Sequence, residues 1–438
     1  MVIQEAYMYY FWRLQHFMQH TLTTLAGEPL TILHPGTRNE HAGPDFLYAH
    51  IKIGALHWYG HVELHTYASA WYAHAHHHDP VYESVVLHVI WYNDKPITRS
   101  DQTHLPTLLL APHVDPALIK NCDQLMEQVS DIYCAQHITT VPNVIRRHSL
   151  DTMLRQRFQR KHTKVYQLLA NNQGDWEATT YQLLAYNFGF SINSDAMLSL
   201  SMAIPYRIIR HQRDDLRKIE ALLFGQAGLL ATDPPAASDA YHAELLQHYA
   251  YLAHKYQLTN KGMDKVQWKF FRLRPANFPT VRIAQLAQLL WQLPALFSWL
   301  LDTSIAAIQQ HLSVTQSAYW QHHYVFGKAS KQRLPGLGKS SIHTIFINTV
   351  VPLLMAYGHT QHQPLYIEKA IAMLQALPPE DNSIIRKWKA LDMHPKNAFD
   401  SQAFIELYQH ACTQKQCRSC SIGNYILQGA KTPRHTAA

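Results

Sequence analysis

The sequence predicts an α+β fold: an N-terminal domain with element order α-β-β-β-α-β, followed by a mostly α-helical C-terminal region. Three observations carry this. Period-2 alternation of apolar and polar residues, the mark of half-buried strands, is concentrated before residue 115. Beyond it, apolar residues recur at helical spacing almost to the end of the 438-residue chain. Charge divides at the same place. Residues 1–115 hold 5 Lys+Arg and 10 Asp+Glu, a balance of −5, which leaves +12 on the remainder given 38 basic and 31 acidic residues in all.

In chain order, Tyr7, Phe11, Leu14 and Met18 share one helical face, so residues 5–20 read as an amphipathic helix. Residues 29–33 form a short strand stopped by Pro35-Gly36. From Phe46 to Ile53 the chain alternates, with Phe46, Tyr48, His50 and Lys52 set against Leu47, Ala49, Ile51 and Ile53. A second strand covers 56–64, and Gly54-Ala55 closes the pair as a hairpin. Residues 68–76 read as a short helix, 84–92 as a β-branched strand and 107–110 as an edge strand. Helices follow at 150–170, 176–187, 208–224, 241–256, 281–301, 342–356, 364–377 and 401–410. A Pro-rich loop at 233–238 separates subdomains, so the expected segments are 1–115, 116–235 and 236–438.

Composition removes several classes. With 47% hydrophobic residues, 10 Trp and 24 Tyr, the chain is not disordered as a whole. No run approaches ~20 uninterrupted apolar residues, so no membrane span is expected. The start, residues 1–5, lacks the cationic region of a secretory leader. Five cysteines in a long chain do not make a disulfide framework. A cytoplasmic, reducing setting is the expectation. Only 16% of residues are charged while 31 are His, 15 of them in the first 115 residues. Clustered imidazoles and carboxylates suit metal chemistry, and a basic remainder attracts polyanions.

Three constellations carry chemistry. The first is Asp45 with Glu63-Leu64-His65. Glu63 and His65 project from one face of their strand, and Asp45 opens the adjacent hairpin arm. Two carboxylates and a third polar group on neighbouring strands can hold Mg²⁺ or Mn²⁺, which activates water and neutralises charge on a scissile phosphate. The second is the string His74-x-His76-x-x-Asp79, whose donors suit Zn²⁺, Mn²⁺ or Fe²⁺, with His88 in the next strand as a further ligand. A solvated His cluster at a helix end is the plainer account. The third is Cys412-x4-Cys417-x2-Cys420, three of the five cysteines within nine residues. It reads as a site for Zn²⁺ or an iron–sulfur cluster, with Cys134, Cys122 or His410 open as the fourth ligand.

Between residues 145 and 165 lie Arg146, Arg147, Arg155, Arg157, Arg160, Lys161 and Lys164 against the single acid Asp151. A face of that kind is expected to bind nucleic acid through its phosphates. The stretch Leu334-Pro335-Gly336-Leu337-Gly338-Lys339-Ser340 looks like the hairpin of a helix-hairpin-helix, and a Pro-Gly turn capping a helix explains it as well.

The first domain resembles the PD-(D/E)xK nuclease superfamily, in element order, in Pro44-Asp45 and in Glu63-Leu64-His65. The resemblance implies Asp45 and Glu63 as metal ligands, with Glu5 or Glu40 as an additional acid. It departs at His65, where that superfamily usually has Lys: an imidazole can orient water but is no permanent cation. Over nearly its whole length the chain resembles a second family, domain of unknown function 2851. This likeness rests on residues 42–46 and 60–65, on Leu273-Arg274-Pro275-Ala276-Asn277-Phe278-Pro279, and on residues 347–352 and 399–402. It implies an intracellular bacterial protein and brings no activity with it. The expected function is a divalent-metal-dependent nuclease using Asp45, Glu63 and His65. The alternatives are an inert nucleic-acid-binding protein and a Zn-dependent hydrolase built on His74, His76 and Asp79.

Overall fold

The computed structural model describes residues 3–39, 41–126, 130–230 and 239–429, so Glu40 and the loop 233–238 lie outside the described residues. Contacts group the chain into two compact units, Met1–Ser149 with Leu407–Ala438, and Leu150–Glu406. The units do not follow chain order as the three segments 1–115, 116–235 and 236–438 do, because the end of the chain returns to the first unit.

In the first unit, helix α1 (Glu5–Leu14) is shorter than the amphipathic pattern suggests. Gln15 adopts a left-handed conformation (φ 52°) and its N–H closes on Phe11 and Trp12 carbonyls, ending the helix without a glycine. The sheet is built from β1 (Leu30–His34), β2 (Thr37–Arg38), β3 (Phe46–Ile53), β4 (Leu56–Tyr67), β5 (Val85–Tyr92) and β6 (Thr107–Leu109). Their order is β1-β3-β4-β5-β6, with β2 beside the start of β3. β3 runs antiparallel to both β1 and β4, while β4–β5 and β5–β6 are parallel. Strand β5, parallel to both neighbours, is buried on both faces over nearly its whole length, which explains its unbroken β-branched and aromatic sequence. The two residues of β2 are too few to show a period. Helix α2 (Ala70–Ala73) covers only part of the segment 68–76, since Ala75 (φ 58°) breaks it before the 3₁₀ turn His76–His78.

Helix α3 (Pro116–Met126) follows, and α4 (Asn143–Asn171) begins here and continues in the second unit. The C-terminal segment is tied to α1 and α3. Tyr10 Oη donates to Asn424 Oδ1 at 2.9 Å, Arg13 reaches Ser419 Oγ at 3.2 Å, and Asn121 donates to the Leu427 carbonyl at 3.1 Å.

The second unit is helical around one apolar core. It contains α5 (Trp176–Phe188), α6 (Ser194–Ala203), α7 (Tyr206–His211), α8 (Leu216–Gln226), α9 (Ala240–Lys255) and α10 (Pro279–Gln292). The run 208–224 divides where the Asp215 side chain caps α8 by accepting from Arg217 N at 2.9 Å. The run 281–301 divides at Pro294, and the next helix, Phe297–Asp302, starts on the Glu177 carboxylate, which accepts from Leu296 N and Phe297 N at 2.6 and 3.1 Å. Lys339–Thr360 is the one helical run among the described residues long and apolar enough to cross a membrane, and 72% of its apolar window is buried. Ile345, Phe346, Leu353 and Leu354 in it are fully buried, so it packs as a core helix here.

Candidate metal centre

A β-bulge decides which side chains meet. Phe46 pairs with Val62, but Ala49 pairs with Gly60, so one residue of β3 is extra between them, and Tyr48 takes φ 58°. Strict alternation sets Phe46 with Tyr48, His50 and Lys52. The bulge moves Phe46 to the buried face of Ala49, Ile51 and Ile53 instead. Asp45, one residue earlier, therefore joins the opposite face, which is the face of Glu63 and His65 on β4. β5 pairs His88 with Glu63, adding a third strand to this face.

The two carboxylates are locked to each other's strands. Asp45 N donates to Glu63 Oε2 and Leu64 N donates to Asp45 Oδ2, both at 3.0 Å. The other Glu63 oxygen faces imidazoles: Oε1 lies 3.2 Å from His76 Nε2 and 3.6 Å from His65 Nε2. His65 Nε2 is also 3.2 Å from His74 Nδ1, and His65 Nδ1 is held by His88 Nε2 at 2.9 Å. His74 and His76 come from the segment over the sheet. The left-handed Ala75 between them turns both inward, a backbone conformation that costs a non-glycine residue energy and recurs at functional sites. Tyr82 stacks on the His76 ring at 3.7 Å, and Trp71 meets it edge-on. The floor is buried, with Glu63 5% and His65 2% exposed, whereas His74 is exposed at the mouth.

The electrostatics are unbalanced. Burial, then the Glu63 charge, pushes the Asp45 carboxyl up, and burial pushes Glu63 up as well. Burial and the surrounding imidazoles push His65 down to about 2, and burial pushes His88 down to about 3. The neutral His65 and His88 rings thus stand beside two acids that no Lys or Arg among the described residues pairs with. His76 Nε2 is buried and makes no hydrogen bond, despite Glu63 Oε1 nearby. Ligand atoms of His65, His74 and His76 lie within 4.8 Å of one another. Three imidazoles, the unbonded His76 Nε2 among their donors, and a carboxylate fit a divalent cation, with His88 as the outer partner that fixes the His65 ring.

The first two constellations of the sequence are therefore one site. His65, His74 and His76 converge with Glu63, and Asp45 lies beside them. Asp79 stands outside the three-histidine group: its carboxylate accepts from Val81 N at 3.0 Å and caps the turn Pro80–Tyr82. Glu5 is close enough for its charge to act on both Asp45 and Glu63, and Tyr9, bonded to Glu5, also hydrogen-bonds Asp45. Sequence reasoning passed over Tyr9 and over Arg38, whose guanidinium sits 4.1 Å from the Tyr9 ring centre. Nothing periodic or clustered marks either.

Cys412, Cys417 and Cys420 are all buried in the first unit. The basic face on α4 is partly turned inward. Arg157 and Arg160 pair with the Glu406 carboxylate, and Arg157 Nε and Lys161 Nζ both donate to Gln402 Oε1 at 2.6 Å. Lys164 lies over the Tyr186 ring. These four line one cleft with Tyr186 and Asn348, in which Arg160 is the exposed cation. Arg146 bonds Asn143 and Arg155 bonds Thr152, while Arg147 and Arg155 face solvent. The Pro-Gly stretch at 334–340 is explained by packing. A Cβ on Gly336 would lie 2.6 Å from the Val314 carbonyl, and the turn leads into a helix at Lys339.

Fold and site together define an α+β protein with a carboxylate–imidazole centre on the face of a mixed sheet. The chain belongs to the family described as Protein of unknown function (DUF2851), whose model it matches over residues 5–383. Among curated proteins and among solved structures, nothing matches it.

Proposed function

We propose that this centre is a divalent-metal-dependent phosphodiesterase acting on nucleic acid, with Glu63, His65, His74 and His76 holding the cation. The observation that carries the reading is the convergence of the Glu63 carboxylate and three imidazoles, of which His74 is exposed to solvent. A bound cation would lower the pKa of water and neutralise charge on a scissile phosphate. Imidazole donors favour Mn²⁺ or Zn²⁺ over Mg²⁺, which prefers oxygen ligands and retained water. Asp45 supplies a second carboxylate, positioned by the Leu64 amide. His65, a water-orienting base in the sequence reading, acts here as a ligand, since His88 occupies its other nitrogen. The element order α1-β1-β3-β4-α2-β5, with the Asp45–Glu63 pair on adjacent strands, supports a core of the PD-(D/E)xK kind. Exposed Arg38 beside Tyr9 offers the permanent cation that His65 cannot. The net charge of +7 supports a polyanionic substrate.

The test is cleavage of labelled single- and double-stranded DNA and RNA in Mg²⁺, Mn²⁺ and Zn²⁺, beside Glu63→Ala. The expected result is Mn²⁺-supported cleavage that the variant lacks. Cleavage that survives in Glu63→Ala, or a Mn²⁺-loaded protein that cuts none of the polymers, overturns the proposal. Tight binding without cleavage would then favour an inert nucleic-acid-binding protein.

A further inference from the structure

We propose that Cys134, Cys412, Cys417 and Cys420 are the four ligands of an iron–sulfur cluster within the first unit. Each of the four residues is 8% exposed. Every pair lies within electrostatic reach: Cys134 with Cys417 and Cys420, Cys412 with all three others, and Cys417 with Cys420. None is joined in a disulfide. The neighbouring residues agree with this placement, since Lys415 Nζ sits 5.3 Å from the ring centre of Tyr133, the residue before Cys134.

The loop is built to present its sulfurs inward. Cys420 N donates to the Gln416 and Cys417 carbonyls at 3.1 and 3.3 Å, which makes the Cys417-x2-Cys420 stretch a tight turn. Helix Ser421–Leu427 then presses on that turn. A Cβ on Gly423 would lie 2.2 Å from the Cys417 carbonyl oxygen, so only glycine permits the approach. Ser149 Oγ lies 3.6 Å from Cys420 Sγ, a hydrogen-bond contact of the kind that tunes cluster sulfurs. Cys122 stands apart, with Arg418 and Asp123 as its electrostatic neighbours, and is not a ligand.

Spacing separates a cluster from a single zinc ion. Tetrahedral Zn²⁺ with bonds of about 2.3 Å holds its sulfurs about 3.8 Å apart. Among the described residues, the set of three donors within 4.8 Å of one another is His65, His74 and His76, and no three of these sulfurs meet that distance. Four grouped cysteine sulfurs, no three of them within that distance of one another, suit the larger iron–sulfur core, which four cysteines hold.

The experiment is anaerobic purification of the full chain, followed by assay of iron, zinc and acid-labile sulfide and by visible and electron paramagnetic resonance spectra. Iron and sulfide in equal amounts, with a visible charge-transfer band, is the expected result. Cys134→Ser and Cys420→Ser should lose both, and Cys122→Ser should keep both. Zinc without sulfide, or four thiols that all react freely in a metal-free folded chain, overturns the proposal. The wild-type assay decides the matter even if a ligand variant does not fold. None of these readouts depends on cleavage activity or on the His65 site.

Discussion

The sheet face of the first unit and the helical core of the second each bury a glutamate, and they treat it in opposite ways. Glu406 is 1% exposed and meets two guanidiniums, Arg157 and Arg160. Gln402 beside it accepts from Arg157 and Lys161, and Glu380 is near enough for its charge to act on both, so Glu406 sits among cations within its own unit. Glu63 meets a backbone amide and neutral imidazoles, with a second carboxylate alongside. Buried polarity alone does not mark a functional site. What sets the two apart is that no Lys or Arg among the described residues pairs with Glu63, and a buried ion without a countercharge is unstable unless something else supplies it.

The same substitution at both glutamates tests the contrast most strongly. Glu406→Gln takes the charge from a buried carboxylate that pairs with two arginines, and urea unfolding should show a loss of about 3–5 kcal/mol. Glu63→Gln keeps the acceptor for Asp45 N and replaces a carboxyl that burial already favours in its neutral form, so the metal-free protein should change by less than about 1 kcal/mol. Its effect should appear only on adding Mn²⁺. A cation at a hundred times its dissociation constant stabilises a protein by about 2.7 kcal/mol, and that gain should vanish in Glu63→Gln. If Glu63→Gln destabilises the metal-free protein as much as Glu406→Gln does, both glutamates are structural and the comparison fails.

Glu220 sharpens the comparison as a third arrangement. It is fully buried on α8 and accepts from Tyr241 Oη and Ser317 Oγ, each at 2.7 Å. Hydroxyls satisfy its lone pairs without cancelling its charge, and burial pushes its carboxyl up to about 7. The folded chain therefore keeps this proton to a higher pH than the unfolded chain, where the group titrates near 4.5. Stability from this group is complete below about 4.5 and is lost as the pH rises through 7, by an amount on the order of 3 kcal/mol. Glu220→Gln should flatten the wild-type decline between those limits in unfolding curves taken across the range. An unchanged slope would show that the hydroxyls carry the charge after all.

Much of the fold was legible because it is periodic. The strands 46–53 and 84–92, the hairpin at Gly54-Ala55 and the helical remainder all follow from spacing. Asp45 and Glu63 were legible as a pair on adjacent strands, yet for an incomplete reason. Alternation alone sets Asp45 on the face of Ala49 and Ile51, and only the bulge at residues 47–48, which no glycine or proline announces, returns it to Glu63. The union of His65 with His74 and His76 was hidden by Ala75, an ordinary residue in a left-handed conformation. The inward turn of Arg157 was hidden by distance, since its partner Gln402 lies 245 residues away. Charge counts give the sign of a helix face and not the direction its side chains take.

The smallest effect is expected at Asp79, and it bears on what a motif means. The string His74-x-His76-x-x-Asp79 has the spacing of a ligand set, but its acid caps the turn Pro80–Tyr82 and so places Tyr82 on the His76 ring. Asp79→Ala should cost about 1 kcal/mol, the usual loss for a capping side chain. Mn²⁺ affinity measured by titration calorimetry should stay unchanged. His76→Ala, run beside it, should lower that affinity by at least about 10-fold, because it removes a donor rather than a support. If Asp79→Ala weakens Mn²⁺ as much as His76→Ala, the carboxylate is a ligand in solution. The site would then be centred over the His74–Asp79 segment, and Glu63 would lose its claim to the cation.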